Sequence, residues 1–220
     1  MPDEHLSYYF TMASPWTYLG HDEAMALCRK HGVAVDILPV DLTDVFSVSG
    51  GLPLPQRAPQ RRAYRLVELQ RWRARRGAVL NLHPKYFPAP ADRANCMVVA
   101  AVMGGLDAAV LARALMGGVW AEDRNIADDG DLTAIADANG FDGAALLAEA
   151  GSQAVQCRYR AQTERAKAAG VFGAPTYVWR GEPFWGQDRL DFLARALAGE
   201  TEPSVLISTR PSCAPISSWT

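Results

Sequence analysis

The sequence predicts an α/β protein in which one sheet is assembled from the two ends of the chain and interrupted by an all-α block. Three observations carry this. Residues 6–40 alternate in hydrophobicity, then switch to helical spacing, then alternate again. For about a hundred residues after that, Ala/Leu-rich runs favour helix and no strand-like segment occurs. Strand character returns only at Ala174–Arg180. Neither end can bury its own strands, so both must contribute to one sheet.

In chain order, Leu6, Tyr8 and Phe10 alternate with more polar neighbours, as a first strand does. Ser14 stands where a helix N-cap is expected, and Pro15 suits the first helical position because its missing N–H costs nothing there. Trp16, Leu19, Ala26 and Leu27 line one face of the helix, and Gly32 ends it. Val33–Val40 is β-branched and alternating, a second strand reached by a parallel crossover. Ser47–Pro59, with Gly50, Gly51, Pro53, Pro55 and Pro59, reads as loop. Helices are predicted over Gln60–Arg76, Ala94–Met103, Asp107–Trp120, Asp131–Asn139 and Asp142–Lys167, several opening on a capping Asp. After the returning strand, Gly181 makes a turn, Pro183–Trp185 forms a short edge strand, and Asp188 caps a last helix lined by Leu190, Leu193 and Leu197. This order is that of a thioredoxin-like domain (1–45 and 168–200) split by a helical insertion (46–167), with an irregular tail at 201–220.

Composition narrows the function. A net charge of −2 gives no footprint for nucleic acid. The start Pro2-Asp3-Glu4-His5 is not a secretory signal, and the longest apolar run, Cys96–Leu106, is far short of the roughly 20 residues of a membrane span. Cys28, Cys96, Cys157 and Cys213 lie far apart, with no C-x-x-C and no zinc spacing. A cytoplasmic, reduced, metal-free protein is expected, with no nucleic-acid or membrane partner.

Ser14 admits two readings. One is a plain N-cap worth about 1 kcal/mol. The other starts from the open helix N-terminus, which favours an anion. In thioredoxin-like oxidoreductases this position begins a C-x-x-C motif, whereas Ser14-Pro15-Trp16-Thr17 has a thiol at neither end. Disulfide exchange requires a thiolate, so the chain cannot perform it here. A hydroxyl can instead donate to the thiolate of a ligand and, with the helix dipole, lower its pKa. The wall opposite is expected at Ala174-Pro175-Thr176. In this fold a proline opening that strand is usually cis and faces the helix N-terminus, so the backbone beside it can pair with a small peptide by strand addition.

The chain resembles the 2-hydroxychromene-2-carboxylate isomerases, relatives of kappa-class glutathione transferases in the DsbA-like branch of the thioredoxin superfamily. The resemblance spans residues 6–198 and rests on Ser14–Leu19, Val40–Leu42, Leu69–Trp72, Val171–Thr176 and Phe184–Leu190 in that order. It implies a glutathione-dependent isomerase acting on a small aromatic carboxylate, and a homodimer. It also implies that Ser14 supports the glutathione thiolate, that Ala174 and Pro175 present the peptide-binding edge, and that Gln187 and Asp188 lie near the γ-glutamyl end. A carboxylate at a helix start can pair with an ammonium group, so Asp188 reads equally as cap and as ligand contact. The chain departs from the family pattern at Thr11, where members often carry Asp, at Phe46, where Lys is common, and within Gly50-Gly51-Leu52-Pro53, where Asn is usual. These departures bear on the aromatic substrate more than on glutathione.

Arg57, Arg61, Arg62, Arg65, Arg71, Arg73, Arg75 and Arg76 crowd one segment with Tyr64 and Glu68. Most are expected on a solvated face. Glutathione and the chromene acid both carry carboxylates, so Arg61 or Arg65 with Tyr64, and Trp16 beside the serine, are the expected substrate contacts. Trp72, Trp120, Trp179 and Trp185 read as core or cleft wall. His5, His21, His31 and His83 form no spaced pair, and His21, two helical turns past the serine, is expected at the surface. Two other functions fit the same residues: a kappa-like transferase or peroxidase that consumes glutathione, and a thioredoxin-fold binding protein without redox activity.

Overall fold

The structure is a computed structural model and describes residues 5–200; the tail expected at 201–220 lies outside the described residues. Strands β1 (His5–Phe10), β2 (Ala34–Pro39), β3 (Thr176–Trp179) and β4 (Glu182–Trp185) form one sheet in the order β2-β1-β3-β4. β1 runs parallel to β2 and antiparallel to β3, and β4 is the antiparallel edge beyond β3. Tyr8 therefore lies between Ile37 and Tyr177. The β3–β4 turn places Arg180 and Gly181 at φ 51° and 85°, the paired positive values of a two-residue hairpin turn. Pro183 is tolerated in β4 because that strand is an edge.

Helix α1 (Pro15–His31) begins under the Ser14 cap and ends at Gly32, whose φ of 66° is the left-handed C-cap conformation. It packs with α9 (Leu190–Leu197) against the sheet face that carries Leu6, Tyr8 and Phe10. The opposite face carries Tyr9, Leu38 and Val40 and is covered by α2 (Leu42–Ser49) and α8 (Gln153–Ala168). Cover on both faces accounts for the almost unbroken apolar run of β1. Between β2 and β3 lie, besides α2 and α8, α3 (Pro59–Arg76), α4 (Asp92–Met103), α5 (Ala108–Trp120), α6 (Asp129–Ala138) and α7 (Gly143–Ala150). α4 is buried from Ala94 to Ala101, and one apolar core joins it to the sheet through Phe10, Met12, Met97, Leu115 and Trp120.

The structure corrects four sequence expectations. Asp41 accepts from the amides of Thr43 and Asp44 and starts α2, so the segment expected to be loop from Ser47 is helical through Ser49. The single helix expected over Asp142–Lys167 is two, because Ser152 caps a new helix after the turn at Gly151. Asp188 caps nothing: it lies in a 3₁₀ turn (Gln187–Arg189) and pairs with Arg189 at 2.7 Å, and α9 starts beyond it without a side-chain cap.

The fourth correction is His21, which is 2% exposed. The helix face that carries Ser14 continues under α5, so a residue two turns on is covered there. Nε2 lies 3.1 Å from the Ala109 carbonyl, which can only accept, so the proton sits on Nε2 and Nδ1 accepts from the Tyr8 hydroxyl at 3.2 Å. Burial pushes the His21 pKa down from 6.5 to about 4. The unfolded chain then binds the proton more readily than the folded one, so this residue removes stability as pH falls from about 6.5 toward 4, by at most ~3 kcal/mol. Chemical denaturation across that range is expected to show stability falling with acid in the wild type, and a shallower fall in His21→Gln.

Candidate active site

After β1, Thr11, Met12 and Ala13 carry the chain to Ser14, whose backbone (φ −94°, ψ 117°) is still extended. The Ser14 amide donates to the Thr11 carbonyl at 3.1 Å, and Ser14 Oγ accepts from the Thr17 amide at 3.2 Å. The first amides of a helix have no partner within it. With Pro15 lacking one and Thr17 taken by the cap, the Trp16 N–H is the open donor at this helix start. Ser14 Oγ also donates to the Ala174 carbonyl at 3.3 Å. Two segments 160 residues apart thus meet at one hydroxyl, and the Ala174–Pro175 peptide is cis. Thr17, at the other end of the motif, is fully buried with its hydroxyl unpartnered and does not line the cleft.

The helical block holds the serine loop by its backbone. The Met12 amide donates to Asn95 Oδ1 at 3.1 Å, and Trp120 Nε1 donates to the Met12 carbonyl at 3.4 Å. Asn95 is 1% exposed, with Nδ2 within reach of Tyr159 Oη (2.9 Å), Thr11 Oγ1 (3.3 Å) and the Val40 carbonyl (3.4 Å). The Tyr159 hydroxyl donates onward to Asp92 at 2.8 Å. Thr11, one of the departures from the family pattern, is thus a buried member of this network. Sequence reasoning missed Asn95; the available signal was a lone amide among the apolar residues that open α4.

A cleft of about 1040 Å³ opens above Ser14, between α3 and the loop that precedes β3. Ser14, Trp16, Arg61, Tyr64, Arg65, Ala174, Gln187 and Asp188 all line it. Pro175 does not; it is buried, and its carbonyl accepts from the Gly186 amide at 2.9 Å. Gln187 is 2% exposed and held by Arg76, which donates to its side-chain oxygen at 2.7 Å and its carbonyl at 2.9 Å. Arg76 also pairs with Glu23 and lies over the Trp72 ring. Arg61 is exposed and Tyr64 is 60% exposed at the rim. Arg65 is half-buried, its guanidinium 5.5 Å from the Phe87 ring centroid and 5.9 Å from that of Trp120. Phe172 and Trp185, both exposed, meet at the mouth with tilted rings whose centroids are 4.8 Å apart. Phe46 packs its ring so closely on Gly51 that a Cβ there would overlap it.

The fold and site together define a thioredoxin-fold protein with a serine, not a cysteine, at the open start of the helix that follows its first strand. Residues 5–198 match the DSBA-like thioredoxin domain, and the chain belongs to that family. It is 29% identical over 190 residues to the 2-hydroxychromene-2-carboxylate isomerase of Sphingobium xenophagum, covering 86% of this chain and 95% of that protein. It is also 29% identical over 196 residues to the protein of that name from Pseudomonas putida, covering 87% and 93%. A solved structure of 2-hydroxychromene-2-carboxylate isomerase superposes with a TM-score of 0.78 at 26% identity, covering 89% of this chain and 95% of that one.

Because Met12 is clamped from the helical block, Asn95→Leu leaves its buried amide without an acceptor. Such a loss costs about 1–3 kcal/mol. Urea denaturation is expected to show a destabilisation of that order, accompanied by weaker ligand binding at the serine loop.

Proposed function

We propose that the protein is a glutathione-dependent isomerase that interconverts 2-hydroxychromene-2-carboxylate, or a related aromatic acid, and its trans-o-hydroxybenzylidenepyruvate form. The single observation that carries the reading is the meeting of Ser14 Oγ with the Ala174 carbonyl at the open start of α1. This donor set fits a thiol tripeptide, because a hydroxyl, a free amide and a helix N-terminus converge beside a backbone edge. The names of the similar isomerases support the same reaction class.

Glutathione would supply a thiol nucleophile for reversible addition to the unsaturated acid, the chemistry through which its ring could open and its former double bond rotate. The residues of this chain provide the setting. Ser14 O–H and Trp16 N–H donate toward the sulfur, and the α1 dipole favours its anionic form. Ala174 would pair with the peptide backbone by strand addition. When a ligand amide takes the Ala174 carbonyl, the Ser14 hydroxyl hydrogen is released from that acceptor for the sulfur. Asp188, paired with Arg189 in the structure, would hold the γ-glutamyl ammonium in exchange for that contact. Gln187 shapes the floor through its backbone, since Arg76 engages its side-chain oxygen. The aromatic walls exclude water from the reacting acid and orient it.

Ser14→Ala tests this. Turnover of the chromene acid with glutathione is expected to fall by about 10²-fold or more. The pKa of the bound thiol, followed by thiolate absorbance, is expected to rise, while stability falls by only the ~1 kcal/mol of a lost cap. Glutathione recovered unchanged after many turnovers supports isomerisation, and its stoichiometric consumption would instead indicate a transferase or peroxidase. Absence of glutathione binding in calorimetry would refute both enzyme readings in favour of a binding protein.

A further inference from the structure

Among the described residues, the carboxylates and arginines that line the cleft are equal in number but unequally partnered. Each carboxylate that lines it already has a partner: Asp41 accepts from the amides of Thr43 and Asp44, Glu68 pairs with Arg71, Asp92 accepts from Tyr159, and Asp188 pairs with Arg189. The arginines of the facing wall do not share in this. Arg57 spends one N–H on the Leu52 carbonyl at 2.7 Å, and neither it nor Arg61 nor Arg65 has a carboxylate partner among the described residues. Arg65 is the most enclosed of the three, and burial, followed by repulsion from Arg57, pushes its pKa down to about 10. Arg57 is likewise lowered, by burial and then by Arg61. Like charges gathered in a partly dry cleft without a counter-ion favour an anionic ligand.

The surroundings of Arg65 narrow that ligand further. Its guanidinium lies over Phe87 and Trp120, and no hydrogen bond or ion pair engages it among the described residues. The same Trp120 donates its indole N–H to the carbonyl of Met12, two residues before Ser14. One indole therefore stands between the cation and the backbone of the serine loop, and Arg65 and Ser14 line the same cleft. Nearby walls are aromatic, from Trp16, Tyr64 and Phe87.

We propose that Arg65, lying over Phe87 and Trp120, is the specificity-determining cation that anchors the carboxylate of the second ligand of the cleft, a planar aromatic acid of the class named above. The assignment rests on the reading of Ser14 as the glutathione site only in placing the two ligands side by side. It names Arg65 rather than the exposed Arg61 as the specificity-determining cation. The carboxylate takes the guanidinium fork, and the ring lies among the aromatic walls, which a neutral or aliphatic ligand would use less well.

The test uses trans-cinnamate and its uncharged analogue trans-cinnamamide, titrated calorimetrically into the intact protein with and without glutathione. Wild type is expected to bind the acid at least about tenfold more tightly than the amide, the scale of a charge-assisted bidentate contact. Arg65→Met, with Arg65→Gln as a second variant should the first fold poorly, is expected to lose that preference; Arg61→Ala is expected to keep it. Glutathione titrated alone is expected to bind all forms equally. Retention of the preference in both Arg65 variants, or its absence from the wild type, would overturn the proposal. So would an equal loss of glutathione affinity in the variants, since Arg65 would then hold a glutathione carboxylate. If the wild type discriminates cinnamate but binds no glutathione, the anchor stands and the glutathione reading falls.

Discussion

The two backbone groups of Met12 are the constraint on which this structure turns. Both are buried in the loop between β1 and α1, and neither is satisfied by the sheet. Asn95 on α4 accepts from the amide, and Trp120 on α5 donates to the carbonyl. A buried peptide group left unpaired is costly, so the loop cannot hold this shape without the helices inserted more than eighty residues later. The insertion therefore completes the site as well as covering it. Ser14 inherits its position from that clamp, and the helix start it caps is aimed at Ala174 by the sheet on one side and the clamp on the other.

The same dependence separates what could be read in the sequence from what could not. Local periodicity and punctuation are enough for β1, α1, β2, β3 and α9, because each has a clear apolar face and a recognisable stop such as Gly32 or Gly181. The meeting of Ser14 with Ala174 was legible through the element order, since a shared sheet brings the ends together. The burial of His21 was not. Which face of α1 is covered depends on α5, and a lone histidine carries no mark of what packs on it. α2 escaped notice because Gly50 and the prolines after it dominate the composition, whereas its start rests on a single carboxylate, Asp41. Asp188 was misplaced by one turn because Gly186, at φ 105°, bends the chain into a 3₁₀ turn before the helix begins.

Substituting serine for thiol changes what the helix N-terminus can be used for. A cysteine there would carry redox chemistry of its own; a hydroxyl has none and offers instead a hydrogen to donate. In the structure that hydrogen is given to the Ala174 carbonyl, and the hydroxyl oxygen is occupied by the Thr17 amide. The hydroxyl is thus already oriented along the line between helix and sheet, and little reorganisation is needed to redirect its donor. That preorganisation distinguishes this site from an ordinary exposed N-cap.

The departures from the family pattern gain a physical sense when they are taken together. Thr11 gives the Asn95 amide a neutral neighbour, so the network behind the serine loop carries its charge only at Asp92, at its outer end. Phe46 fills the space over Gly51, where any side chain would collide with its ring, so the aromatic wall and the glycine are one feature rather than two. A polar side chain at position 46 would put a charge or a hydrogen-bonding group into the part of the cleft that this ring keeps apolar. Positive charge is instead concentrated on α3 and the turn before it, at Arg57, Arg61 and Arg65. The cleft therefore combines an apolar surface at Phe46 with cationic groups at Arg57, Arg61 and Arg65. A lining of that kind favours a ligand with a flat hydrophobic body and an anionic end, whereas a uniformly polar ligand would have to desolvate against the Phe46 ring without a partner.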